Sequence, residues 1–157
     1  MDSYLLVIGY GNTLRGDDGV GPRAAAKVEA MRLPGVLTMA CPQLTPELAD
    51  PLSHAGAVVF VDACVDRRGP VRLRRLPPAG SSQILAHAAD PGVLLALARD
   101  AFGRAPPAWM LTIPARRLGF GERLSRTASL GLRDAVRAVR ALHRRLGRRR
   151  PTRPTRA

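Results

Sequence analysis

The chain has 157 residues, enough for one domain with its own core and without disulfides or a structural metal. Its 25 lysines and arginines against 12 acids give a net charge of +13, which raises nucleic acid as a partner; yet residues 133–157 hold ten arginines and one acid, Asp134, so the rest carries only +4. Two cysteines without C-x-x-C spacing, no long apolar run and no basic leader argue against a disulfide scaffold, a membrane span or secretion, so a cytoplasmic protein with Cys41 and Cys64 as buried thiols is expected.

Residues 5–8 form an apolar run suited to a strand, followed by a glycine-rich turn and then by Asp17 and Asp18, where a helix should begin. Over residues 18–31 Val20, Ala24, Val28 and Met31 share one helical face, and residues 36–39 make a second short strand. Thr45, Pro46 and Glu47 read as the N-cap, first position and first turn of a short helix. The run AVVFVDA at 57–63 suits a strand buried on both faces and ends in one acid, Asp62. Residues 71–76 alternate arginine with apolar side chains between Gly69-Pro70 and Pro77-Pro78, as an edge strand or hairpin arm would. From Pro91 onward Leu94, Leu97, Ala98, Ala101 and Phe102 share a helical face, and residues 109–113 supply another strand. In the last helix Ala128, Leu132, Ala135, Val139, Leu142 and Leu146 form an apolar stripe opposite Arg133, Arg137, Arg140 and Arg144. The remaining RRRPTRPTRA has no apolar face, so residues 1–147 are expected to form a single α/β domain and residues 148–157 an Arg/Pro-rich, disordered tail.

This alternation implies an α/β protein: a three-layer α/β/α sandwich with an open, mainly parallel twisted sheet of about five strands. Such sheets bind ligands at the carboxyl ends of their strands, and if the first and third strands are neighbours, Asp17, Asp18 and Asp62 converge there. A dinucleotide fingerprint would need a third glycine where Leu14 stands, and acids at a helix start repel pyrophosphate. One of the paired acids is expected only to cap the helix, worth ~1 kcal/mol. His54 and His143 look like surface positions, whereas His87, in the irregular stretch SSQILAHAADPG, can reach over the sheet edge. Two carboxylates with one imidazole make a mixed oxygen and nitrogen set suited to a borderline divalent metal with open positions. There is no H-E-x-x-H or G-x-S-x-G, and Cys64 with His87 is a formal nucleophile pair in which the thiol reads better as packing.

The segments GNTLRGDDGVGPR, LTPELA, VVFVDA, AHAADPGVLLALARDAFGRAPPAWMLTIPA and FGERLS resemble, in order from about residue 5 to about residue 142, the [NiFe]-hydrogenase maturation endopeptidases. The resemblance implies that Asp18, Asp62 and His87 are the metal-binding and catalytic residues, with Asp17 as a capping partner. It implies removal of the C-terminal extension of a hydrogenase large-subunit precursor after nickel insertion, with the nickel supplied by the bound substrate and no organic cofactor. The precursor would be the partner, with no membrane and no nucleic acid expected. Two departures stand out: Ala86 where a serine commonly precedes the histidine, and an arginine-rich tail beyond the usual family end. The alternative is a non-catalytic, nickel-sensing adaptor or chaperone for the precursor. Nucleic-acid binding through the tail has little support, because aromatic residues are few and the arginines lie outside the body.

Overall fold

The structure, a computed structural model, describes residues 4–66, 68–80 and 90–148. Strands β1 (Leu5–Tyr10), β2 (Val36–Cys41), β3 (Ala57–Cys64), β4 (Arg72–Arg75) and β5 (Ala108–Pro114) form one sheet in the order β2-β1-β3-β5-β4. All neighbours pair in parallel except β4, which runs antiparallel along β5 at the edge. The arginine-alternating segment is thus an edge strand, and its Arg75 guanidinium stacks 4.5 Å from the Trp109 ring.

Helices α1 (Val20–Ala30), α2 (Ala49–His54), α3 (Pro91–Phe102) and α4 (Arg126–Arg148) cover both faces. Because strand side chains alternate, each central strand feeds two cores. Leu5, Val7, Val59, Val61, Leu111 and Ile113 pack under α1 and α4, where the stripe Ala128, Leu132, Ala135, Val139 and Leu142 is buried. Leu6, Ile8, Val58, Phe60 and Met110 pack under α2 and α3 on the other face. The arrangement is the expected three-layer α/β/α sandwich. Among the described residues no helix is long and apolar enough to cross a membrane.

Several local expectations are corrected. Asp17 and Asp18 lie in a 3-10 turn, Gly16–Gly19, and α1 begins only at Val20. Thr45 is extended and makes no capping bond; Pro46–Leu48 form a 3-10 turn leading into α2, and the Thr45 hydroxyl bonds the Glu47 carboxylate instead. On α3 the buried side chains include Leu94, Leu95 and Ala98, while Leu97, Ala101 and Phe102 are exposed. The sequence GVLLALA is apolar nearly all round, so periodicity could not select the face. Cys41 and Cys64 are half-buried, because each ends a strand at the sheet's open edge. Of the expected tail at 148–157, Arg148 instead ends α4, and the rest lies outside the described residues.

Two features fix the carboxyl edge of the sheet. The first is a close approach of helix to strand: a Cβ on Gly21 would lie 2.5 Å from the Tyr10 carbonyl oxygen and 2.6 Å from that of Val61. Only glycine lets the first turn of α1 rest on the ends of β1 and β3 together. The second is Asp17, which is fully buried. One of its oxygens, Oδ2, accepts from the N–H groups of Arg116 (2.7 Å) and Arg117 (2.9 Å) and from the Ser125 hydroxyl (2.7 Å), while Oδ1 accepts from the Ser125 N–H (2.6 Å). The Ser125 Oγ also accepts from the Ala128 N–H in the first turn of α4. Asp17 is therefore no local cap; it joins the loop after β1 to the loop after β5, about a hundred residues on. Burial alone would raise its pKa, but these four hydrogen bonds outweigh that effect and hold the carboxyl below its ordinary range.

Two outcomes follow. Gly21→Ala lowers stability by roughly 1–3 kcal/mol in urea unfolding, because the collision with two backbone oxygens exceeds the ~1 kcal/mol by which alanine favours a helix over glycine. Asp17→Ala costs about 3 kcal/mol or more, since it leaves buried donors unpaired. With a depressed native pKa, the Asp17 contribution is complete above the ordinary carboxylate pKa and is lost as pH falls through the lower native value. Acid titration of unfolding should show a steep decline there in the parent and a shallower one in Asp17→Asn.

Candidate functional site

Strands β1 and β3 are hydrogen-bonded neighbours, with Gly9 opposite Val61. One residue farther along, Tyr10 and Asp62 leave the sheet together on the side of α2 and α3, in step with Ile8 and Phe60 beneath them. The connection after β1 runs instead to α1 on the opposite face. The crevice between these strand ends is the topological switch point where such sheets bind ligands.

Asp18 reaches this crevice from the loop after β1. Its Oδ2 accepts from the Asn12 N–H at 2.8 Å, and the Asn12 Oδ1 accepts from the Leu14 N–H at 2.9 Å, so the loop is pinned through its own polar groups. Gly11 has a φ of 141°, and a side chain there would strike the Asp18 carbonyl oxygen. Asp62 is held by the Ala63 N–H, which donates to Oδ1 at 2.8 Å, and by the Tyr10 hydroxyl. The two carboxylates are close enough to interact. Burial, with a smaller push from the Asp18 charge, lifts the Asp62 pKa to about 6 against the opposing hydrogen bonds from Ala63 and Tyr10. Burial first, and then the Asp62 charge, raise the Tyr10 phenol well above its ordinary value, so it remains a hydrogen-bond donor throughout the neutral range.

Beside Asp62 opens a cleft of about 430 Å³, lined by Tyr10, Asp62, Arg74, Leu76, Asp90, Pro91 and Met110. Asp90 caps α3, its Oδ1 accepting from the Gly92 N–H at 2.7 Å and the Val93 N–H at 3.3 Å. Sequence reasoning missed three of these residues. The Asp90 signal was present, since an acid before Pro-Gly and an apolar run is a helix start. Tyr10 could be found only from the strand register, and Arg74 only from the pairing of β4 with β5.

The structure therefore brings Asp18 and Asp62 together and assigns Asp17 to the scaffold. His87, the expected nitrogen ligand, lies outside the described residues. Among the described residues no group of three His, Cys, Asp or Glu side chains is gathered to hold a metal. The other two histidines are engaged away from the crevice: His54 Nδ1 lies 2.9 Å from the Asp50 carbonyl oxygen, and His143 Nε2 lies 2.9 Å from that of Pro34, which precedes β2 at the opposite end of the sheet.

The raised pKa of Asp62 has a definite effect on stability. Between the ordinary carboxylate value of 3.8 and about 6 the native state holds a proton that the unfolded state has released, so stability falls as pH rises through that window. Asp62→Asn should be more stable than the parent at pH 8 by about 1–2 kcal/mol after solvent screening, and equal to it near pH 4, as read from urea midpoints.

The sequence matches no family model and no curated protein. Solved structures do match. The hydrogenase maturating endopeptidase HybD from E. coli superposes with a TM-score of 0.71 at 21% identity, covering 92% of this chain and 94% of that one. The [NiFe] hydrogenase maturation protease HybD from Thermococcus kodakarensis gives 0.68 at 23% identity, covering 88% and 98%. The hydrogenase 2 maturation peptidase from a Thaumarchaeota archaeon gives 0.66 at 26% identity, covering 89% and 98%. This chain therefore shares its fold, over nearly the whole of each chain, with proteins named as hydrogenase maturation peptidases, and the ordered motifs around Asp18 and Asp62 are in place.

Proposed function

We propose that the protein is a maturation endopeptidase that removes the C-terminal extension from a [NiFe]-hydrogenase large-subunit precursor after nickel has been inserted. The observation that carries this reading is the convergence of Asp18 and Asp62 at the β1–β3 switch point, in a fold shared with proteins named as hydrogenase maturation peptidases. In this reading Asp18 and Asp62 offer oxygen, and His87 nitrogen, to nickel that arrives in the substrate. Three protein donors leave positions for the substrate's own ligands, so the crevice recognises a loaded precursor and positions its scissile bond. The nickel would polarise the peptide carbonyl or activate water.

The remaining chemistry falls to side chains of this protein. Hydrolysis needs a group that takes a proton from water and returns it to the leaving amine. A carboxylate oxygen that is left free of the nickel would take this role at Asp18 or at Asp62. Tyr10 and the Ala63 N–H hold the orientation of the Asp62 carboxylate. Nickel and the proton compete for the same carboxylate, so recognition should weaken below about pH 6.

The test incubates the purified protein with nickel-loaded and nickel-free precursor, each with and without zinc, and follows the small C-terminal fragment by mass spectrometry. Only the nickel-loaded form should be cut, and Asp18→Ala, Asp62→Ala and His87→Ala should each lower the rate by about a hundredfold or more with the fold retained. Equal cleavage of nickel-free precursor would overturn nickel recognition. Nickel-dependent binding without any cleavage would establish the adaptor reading instead.

A further inference from the structure

The loop between β5 and α4 carries Phe120, whose surface is 96% exposed, and Leu118, 37% exposed; across from it the loop after β1 carries Leu14, 53% exposed. Exposed large apolar side chains are ordinary when scattered, but these lie on two loops that are bonded to each other. The Gly121 N–H donates to the Leu14 carbonyl at 2.8 Å, and the Gly16 N–H donates to the Gly121 carbonyl at 2.7 Å, a parallel bridge that places Phe120 beside Leu14 along the chain. The Asp17 N–H adds a bond to the Arg117 carbonyl, the Arg23 guanidinium bonds the Glu122 carbonyl, and the Asp17 carboxylate ties down both ends of the second loop. Phe120 is thus held in water by a fixed scaffold, with little ordering left to do on binding.

Two further observations identify what it meets. The same loop that carries Leu14 continues to Asp18, whose carboxylate is pinned by Asn12 two residues before Leu14, so the loop that bears Leu14 and is bridged to the Phe120 loop also builds the crevice. Exposed Arg15, Arg116, Arg117 and Arg123 flank them, against one exposed acid on the same loop, Glu122. An apolar centre with a cationic rim fits a polypeptide surface with an apolar centre and an acidic rim.

We propose that Leu14, Leu118 and Phe120 form the docking platform for the body of the precursor polypeptide, apart from the crevice that reads its metal. The inference rests on the function proposed above. A platform of this kind contributes equally to the bound ground state and to the transition state, so its loss raises KM without lowering kcat.

The experiment measures initial rates over a range of nickel-loaded precursor concentrations, and in parallel the precursor's Kd by surface plasmon resonance, for the parent, Phe120→Ser, Leu14→Ser/Phe120→Ser and Phe102→Ser. Phe102 is an exposed aromatic control at the far end of α3. KM and Kd should rise about tenfold for Phe120→Ser and further for the double variant, with kcat within about twofold of the parent and Phe102→Ser unchanged. Unaltered KM and Kd in the double variant, or a fall in kcat alone, would overturn the platform. If the parent binds the precursor without cutting it, the peptidase reading fails while the Kd comparison still decides the docking site; absence of binding by the parent overturns both.

Discussion

The Asp17 carboxylate organises the carboxyl edge of the sheet on which any chemistry here depends. It is buried with no cationic partner among the described residues, which is tolerable because four donors converge on its two oxygens. Those donors all belong to the segment between β5 and α4, so this carboxylate, together with the parallel bridge between Arg15 and Gly121, holds the two loops to each other. Through Ser125, which donates to Asp17 and accepts from the first turn of α4, the same network also sets where the last helix begins. The 3-10 turn around Asp17 then places its neighbour Asp18 toward the crevice.

The carboxylates of Asp17 and Asp62 have opposite fates for a clear electrostatic reason. Asp17 receives enough hydrogen bonds to overcome burial and is held ionised as scaffold. Asp62 is buried with fewer donors and faces the Asp18 charge, so its ionised form is disfavoured. A carboxylate left short of donors is a net cost to the fold but a gain to a site that must accept a cation or a proton. Tyr10 keeps that cost bounded by remaining protonated and donating to Asp62.

The division of labour extends across the sheet. Alternation along β1 and β3 sends Tyr10 and Asp62 to the side of α2 and α3, while the loop carrying Asp18 passes to α1 on the other side. The crevice therefore straddles the sheet edge, with the apolar and cationic loops on one flank and the cleft beside Asp62 and Asp90 on the other. The glycine at position 21 makes this compact, because it removes the side chain that would lift α1 off the strand ends.

Much of this was legible in the sequence. The apolar runs at β1, β3 and β5 and the amphipathic stripe of α4 fixed the class of fold and the layers, since burial on both faces and a one-sided helix each leave a periodic trace. The V-D-A strand end and the paired aspartates marked where acids would lie, and family resemblance singled out Asp18 and Asp62. What tertiary structure decided is everything that depends on partners distant in sequence. Asp17 looked like a local cap because the donors that bury it come from Arg116, Arg117 and Ser125, whose proximity no local pattern encodes. The buried face of α3 stayed ambiguous because its residues are apolar all round, and only packing against α2 and the sheet selects one side. Tyr10 joined the site through strand register alone, and the raised pKa of Asp62 arose from burial that exists only once β1, β3 and their crossing loops have come together.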